Sequence, residues 1–430
     1  MIPALVSTIN EKFTGSKLKL KLKLNLLMII SVIIAVILAG CLNTPQDDSP
    51  KKIVWYAAML NDEWELYKPI VDEFTKETGI AVEVKLYGGK WNELSEKLKN
   101  EVESGEAIAD VVTIDDFAVA STKDYVYDVT DEITKWNEWN SLYEAKKRSG
   151  EFDNKIYFMP WRADCLTMYV NTGKLAEYNL NSPGTIDELI AAARIIHEKE
   201  GEGRVGMKAK KYEGLTCEIA IFINAYGGNY ETFNSEANIK AFNSLQELSN
   251  HLHPKSNEWD EGNIPAAMAD EEIYINFNWP YQVSILEQNG MANNIKAVPT
   301  PKGSVGRGTT MGGGFLAVSK ASQDKESAIE FIKFIASKKG QGMQLQQTGW
   351  LPIRDDSWDY LREVDPAKYT NLMAYRETLK YGLIRPAISE YPELTKLWQD
   401  AFWEIVWEGK GVEDTLNKYQ GVWGSKNKGE

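Results

Sequence analysis

Two short runs place carboxylates where a strand would otherwise be apolar. "VVTIDD" ends in Asp115 and Asp116, and "WRAD" sets Asp164 into the apolar stretch "KIYFMPWRADCLTMYVN". A charge within such a strand is costly to desolvate and calls for a partner or a ligand. An ionised carboxylate accepts at two oxygens, so it can hold two adjacent hydroxyls of a polyol. Carboxylates beside tryptophans also suit amines, and two carboxyls flanking one bond would suit glycan cleavage. No such flanking pair is marked, so an enzyme is not expected. The plainer alternatives are an Arg162 ion pair for Asp164, since alternation points both to one face, and an N-cap for Asp115.

Other chemistries have little to draw on. His197, His251 and His253 are the only histidines, and "HLHP" reads as a solvated loop pair. No Cys-x-x-Cys or other metal spacing occurs, and no metal or cofactor is expected. Of the three cysteines, Cys165 and Cys217 read as separate buried thiols, although spacing leaves a disulfide open. A formal net charge of −14 argues against nucleic acid as a partner. It becomes more negative if residues 1–40, with five lysines against one glutamate, are removed.

Positioning these side chains falls to a regular series of elements. "KIVWYAA" reads as a buried strand. The helix after it has Trp64, Tyr67, Val71 and Phe74 on one face, Asp62 and Glu65 as a capping pair, and Gly79 as its stop. "IAVEVKLY", a helix bearing Leu94, Leu98 and Val102, and "ADVVTIDD" complete a β-α-β-α-β order, which predicts a parallel, doubly wound sheet. Ligands of such sheets sit beyond the carboxyl ends of the strands, which places Asp115 and Asp116 at a cleft. Helices are expected at 185–200, 215–226, 235–250, 366–381 and 393–408, and as one element through "DKESAIEFIKFIASKKGQGMQLQQTG". With αβ units throughout this length, the fold class is α/β in two lobes.

Ahead of this lies a basic flank, "KLKLKLKLN", and an apolar run ending in "LAGC". The run falls short of the ~20 residues that comfortably span a bilayer, and the layout is that of a secretory signal. "LAGC" resembles the lipoprotein signal, in which cleavage before Cys41 exposes it for lipidation. An uncleaved signal anchor is the alternative. Residues 1–40 are read as signal peptide and 41–50 as lipidated cysteine and flexible tether, with the remainder outside the cytoplasmic membrane.

Five blocks in order resemble the extracellular solute-binding proteins of ABC importers, of the maltose and trehalose type. They are "YKPIVDEFTKETGIAVEV", "FDNKIYFMPWRADCLTMYVNTGKLAEYNLNSPGTIDELIAAARII", "FNWPYQVSILEQNG" with "IKAVPTPKG", "MGGGFLAVSKASQDKESAIEFIKFIASKKGQ" and "RPAISEYPELTKLWQDAFWEIVWEGKGVEDTLNK". The resemblance implies a two-lobe periplasmic-binding-protein-like clamp, each lobe a central β-sheet flanked by helices, joined by a hinge of chain crossings. Crossings near 160–165, 312–318 and 355–360 would divide it into 51–163 with 315–357 and 164–314 with 358–425, leaving 426–430 as a polar tail. It further implies a monomer that closes on a carbohydrate and meets ABC permease subunits at the membrane to which its lipid holds it.

Matched to the family's motifs, Glu63, Asp115 and Asp164 are expected to hold sugar hydroxyls. For Glu63, a favourable charge at a helix N-terminus is the alternative. Trp279 and Tyr281 in "NWPY" take the position of aromatic platforms, with Trp161, Trp350 and Trp398 as further candidates. Arg385 and Tyr391 in "RPAISEY" are expected to face the ligand, with a lobe-bridging salt link as the alternative for Arg385. Many sugar binders read "GGW" where this chain has "GGGF" at 312–315, so Gly314 replaces a platform. Backbone at Gly313 and Gly314 could still approach a ligand closely, and the missing ring points to a different or bulkier one. A polyamine or other cationic solute is the alternative ligand class.

Overall fold

Apolar Ile53, Trp55 and Ala57 are sealed from solvent in β1 (Lys52–Ala57), the first strand among the described residues. A computed structural model describes residues 51–88, 91–106, 109–288, 290 and 294–426; the leader, Cys41 and the tether lie outside them. Helix α1 (Asn61–Thr78) turns Tyr67, Ile70, Val71 and Phe74 inward and stops at Gly79, whose φ of 76° suits glycine. Its cap is Leu60, not Asp62. Next come β2 (Ala81–Leu86), α2 (Trp91–Ser104) and β3 (Val111–Asp115). Strands β2, β1 and β3 lie side by side and parallel, as the element order requires.

β4 (Met159–Cys165) ends the first visit to this lobe, and β5 (Thr167–Asn171) opens a second sheet. That sheet gains β6 (Val205–Gly206), β7 (Ile275–Asn278) and β8 (Ile295–Val298), in the order β8-β5-β7-β6. It is mostly antiparallel, with only β6 and β7 parallel. Between β6 and β7 runs helix α3 (Glu213–Ala225), almost wholly buried.

The long strand β9 (Thr309–Val318) joins the two halves. Its last residues pair antiparallel with β3 on one edge and with β4 on the other. At its start, Thr309 and Thr310 donate to the carbonyls of Leu166 and Cys217 in the second lobe. β10 (Gly382–Ile384) runs parallel to this same start. Only one residue, Leu166, separates β4 from β5, so the first passage is short and fixed by sheet hydrogen bonds on both sides.

Several expectations shift. The single helix expected after residue 323 is two, Lys325–Ala336 and Lys338–Thr348, because Ser337 leaves helical geometry and caps the second through Gly340. Trp358 and Leu361 pack in a core cluster that holds both Trp55 of the first sheet and Tyr169 and Ile295 of the second, and from Leu383 onward side chains such as Ile388 and Tyr391 join the other cluster. After α4 (Tyr391–Val406) a further helix, Val412–Lys426, closes the chain. His253 is buried and stacked on Trp259 at 4.6 Å, not solvated, while His251 meets His197. Cys165 and Cys217 are both buried free thiols. No helix among the described residues is long and apolar enough to cross a membrane.

Candidate functional site

The carboxyl end of β3, the middle of β4 and β9, and the loops of the second sheet meet around a cleft of about 700 Å³. That size falls within the ~300–1,000 Å³ usual for small-solute sites. The first lobe contributes Asp115, Phe117, Arg162 and Asp164, with Gly312 and Gly313 as an edge free of side chains. Facing them from the second lobe are Tyr212, Glu213 and Gly214 at the start of α3, then Glu261, Trp279 and Tyr281. Arg385, just past β10, lies between the two sets.

Alternation along β4 explains what it offers. Trp161, Ala163 and Cys165 are buried, while Arg162 and Asp164 emerge together on the cleft side, their Nε and Oδ2 3.7 Å apart. Arg162 is also held by a cation–π contact, its guanidinium carbon 4.3 Å from the centre of the Trp350 ring. Asp115 combines both roles considered for it: it accepts from the Phe117 amide at 3.3 Å and lines the cleft. Burial pushes the carboxyls of Asp115 and Asp164 each up to about 6, with Arg385 and Arg162, respectively, opposing the rise.

Glycine shapes two points of the floor. A Cβ on Gly312 would come within 3.2 Å of the outer edge of the Trp279 ring, so the bare backbone lets that edge approach closely. Gly313 has φ of +114°, and a Cβ there would stand 2.2 Å from the Arg162 carbonyl oxygen. Gly313→Ala is therefore expected to cost about 2–3 kcal/mol of stability through strain and overpacking, measured by urea unfolding. A loss below about 0.5 kcal/mol would show that β4 and β9 yield easily.

Arg385 spans the lobes. Its Nη1 lies 3.1 Å from Glu213 Oε1, and its Nη2 3.5 Å from both Asp115 and Asp116. Tyr391 and Thr395 add hydrogen bonds to the Glu213 carboxylate. The lobe-bridging link considered for Arg385 is thus present, at the edge of the cleft itself.

Six of the expected residues meet here: Asp115, Asp164, Trp279, Tyr281, Gly313 and Arg385. The others do not line the cleft. Trp161 is fully buried, donates to the Tyr67 hydroxyl at 2.8 Å and packs edge-on to Trp55, because alternation sends it away from Arg162. Trp398 is a core side chain of the second lobe, stacked on Phe233 at 3.9 Å with its Nε1 bonded to the Tyr230 carbonyl. Glu63 accepts from the Leu60 amide and finishes the start of α1. Trp350 backs Arg162 from behind; Tyr391 is buried against Glu213. Gly314 is spent in strand pairing with Asp115 and Arg162.

Glu213, Tyr212, Gly214 and Glu261 were not foreseen. Gly214 leaves room for the Tyr212 hydroxyl and the Glu261 carboxylate, which meet above the start of α3. A usable signal existed: "YEG" stands at the start of the apolar run that forms α3, six residues beyond β6, so its polar groups fall at a helix start on the strand-to-helix side of the sheet.

Comparison with known proteins follows this geometry. Residues 69–374 match the family model described as bacterial extracellular solute-binding protein. A probable ABC transporter-binding protein of Deinococcus radiodurans is 27% identical over 241 residues, 50% of this chain and 55% of that protein, so the match spans little more than half of its length. A multiple sugar-binding protein of Streptococcus mutans is 24% identical over 331 residues, covering 71% of this chain and 76% of the relative. Among solved structures, the cyclic alpha-maltosyl-1,6-maltose binding protein of Arthrobacter globiformis superposes with a TM-score of 0.76 at 19% identity, over 88% of this chain and 99% of the other. Maltose-bound MalE3 of T. maritima gives 0.72 at 22%, over 86% and 98%. At these identities the likeness establishes the two-lobe fold.

Proposed function

The chain belongs to the family of bacterial extracellular solute-binding proteins, and we propose that it captures a di- or oligosaccharide between its lobes and delivers it to an ABC permease. It is a binding protein, not an enzyme. The observation that carries the sugar reading is the pairing of Trp279, its ring edge close to Gly312, with the carboxylates of Asp115 and Asp164 in one cleft. A pyranose lays its C–H face on an indole while carboxylates accept from its hydroxyls around the rim. The sugar-binding names of relatives and structural neighbours support the same class. Closure of the lobes over the ligand makes the form that the permease meets. Lipidation at Cys41 keeps this monomer beside that permease on the outer face of the membrane.

A cationic solute is the second reading. Glu93, Asp115, Asp164, Glu213 and Glu261 outnumber Arg162 and Arg385 on the cleft wall, and ammonium groups also suit Trp279. Thermal unfolding of the full chain, in a detergent without a sugar headgroup, separates the two. Maltose, maltotetraose and other neutral saccharides are compared with spermidine and putrescine. Binding to the folded state alone stabilises by ~2.7 kcal/mol at a hundredfold excess over Kd. A midpoint rise with saccharides, lost in Asp164→Ala, supports the proposal. A rise with amines alone replaces it by the second reading, and no rise with either removes both.

Binding is expected to depend on pH in one direction. Asp115 and Asp164 hold protons up to about pH 6 in the empty cleft. Hydroxyl donors need the ionised form, so affinity rises with pH to about 6 and is level above it. At pH 5 each carboxylate that must ionise weakens binding about tenfold. The same two groups lower the stability of the empty protein as pH rises from about 4 to 6, because the unfolded carboxyls ionise first. Titrations at pH 5 and 7 test this; equal affinity at both would remove ionised Asp115 and Asp164 from the binding step.

A further inference from the structure

Behind the second lobe's side of the cleft lies a fully buried ion pair. Lys208 and Glu218 have no exposed side-chain surface, and Lys208 Nζ stands 3.1 Å from Glu218 Oε1. An ammonium has three donors. Here the other two go to the Phe277 carbonyl at 3.1 Å and to Asn278 Oδ1 at 3.4 Å. Asn278, itself buried, uses that same Oδ1 to accept from the Trp279 amide at 3.0 Å. Its Nδ2 then points to the Tyr281 hydroxyl at 3.3 Å.

We propose that Lys208 is the positioning residue of the ligand-facing wall, fixing through Asn278 the placement of Trp279 and Tyr281. A cation beside Oδ1 decides which way the Asn278 amide faces, since only the oxygen accepts from an ammonium. With Oδ1 so held, the Trp279 backbone has a defined partner, and the Tyr281 hydroxyl is placed by Asn278 Nδ2 together with the Glu261 carbonyl, to which it donates at 2.8 Å. Glu218 sits on α3, whose first turn carries Glu213 and Gly214 into the cleft. The pair therefore ties the helix bearing one group of cleft residues to the strand end bearing the other. A buried pair contributes little net stability compared with apolar residues of similar size, which leaves geometry as the main result of keeping it. Lys208 touches no solute itself, and its Nζ lies 6.0 Å from the Trp279 ring.

The inference rests on the reading of this cleft as the ligand site, and its test has a readout that needs no ligand. The full chain is labelled with 5-fluorotryptophan in a detergent without a sugar headgroup, and the Trp279 resonance is assigned with Trp279→Phe. Lys208→Met with Glu218→Leu removes both charges together, avoiding a lone buried carboxylate. The Trp279 signal is expected to move and broaden, while those of Trp55 and Trp161 in the other lobe stay in place. Asn278→Ala, which leaves the ion pair intact, should reproduce the change and decides the matter if the double variant does not fold. Maltotetraose affinity should fall about tenfold in either, the equivalent of one charge-assisted hydrogen bond. An unmoved Trp279 signal in Asn278→Ala, or in a folded double variant, overturns the positioning role. Failure of maltotetraose to bind the unaltered chain would count against the proposed function and leave the fluorine result standing.

Discussion

Arg385→Met is expected to destabilise the protein by about 3–5 kcal/mol, as when one member of a buried charge cluster is removed. The guanidinium is 7% exposed and lies among Asp115, Asp116 and Glu213, so its loss leaves three carboxylates facing one another. The deficit should depend on pH with a definite sign. Burial already raises the Asp115 carboxyl, and Arg385 is the main influence opposing that rise. Without it, Asp115 takes up a proton at still higher pH in the folded state. The cost is then smallest in acid and grows as pH rises past 6. Urea unfolding at pH 5 and 8 measures the difference. Arg385→Lys should fall between the two, because one ammonium cannot reach both lobes as a planar fork does. Equal losses at both pH values would mean that Arg385 acts through packing, not charge.

Lys146→Met should cost a similar amount, about 3–5 kcal/mol, from within the first lobe. Lys146 is wholly buried; its Nζ meets Asp116 Oδ1 at 2.5 Å and the Gly312 carbonyl at 3.3 Å, and lies 4.6 Å from the centre of the Phe315 ring. Methionine of similar length fills the space but leaves the Asp116 carboxylate, 2% exposed, without its nearest cation. Lys146→Met with Asp116→Leu removes the imbalance and is expected to recover most of the stability. If the double variant is no better than the single, packing around the ammonium outweighs the ion pair. Because the edge of the Trp279 ring lies close to Gly312, the single variant should also weaken saccharide binding.

These two lysine and arginine roles show where sequence reading reaches its limit. Asp164 was legible because a charge among apolar residues stands out, and strand alternation put Arg162 beside it. The opening β-α-β-α-β unit was legible from apolar periodicity alone, with Tyr67, Val71 and Phe74 on the buried face of α1 as expected. Lys146 was not. In "EAKKRS" it looks like its neighbour Arg148, yet one side chain is fully buried and the other 75% exposed. Only the fold of distant segments over that short helix makes the distinction. Trp398 failed in the reverse direction: helical spacing marks a buried face but does not say whether that face meets a core or a cleft. Tyr212 and Glu261 lie in loops without periodicity and are brought together across Gly214 by tertiary closure.

The most direct test of the cleft is a calorimetric titration of the full chain with maltose, maltotetraose and spermidine, run beside Trp279→Ala and Asp164→Ala. One-site binding of a neutral saccharide, weakened at least about tenfold by each substitution, is the expected result for side chains central to a site. Saccharide binding of undiminished affinity in both variants, or saturation by spermidine with no saccharide bound, would contradict it.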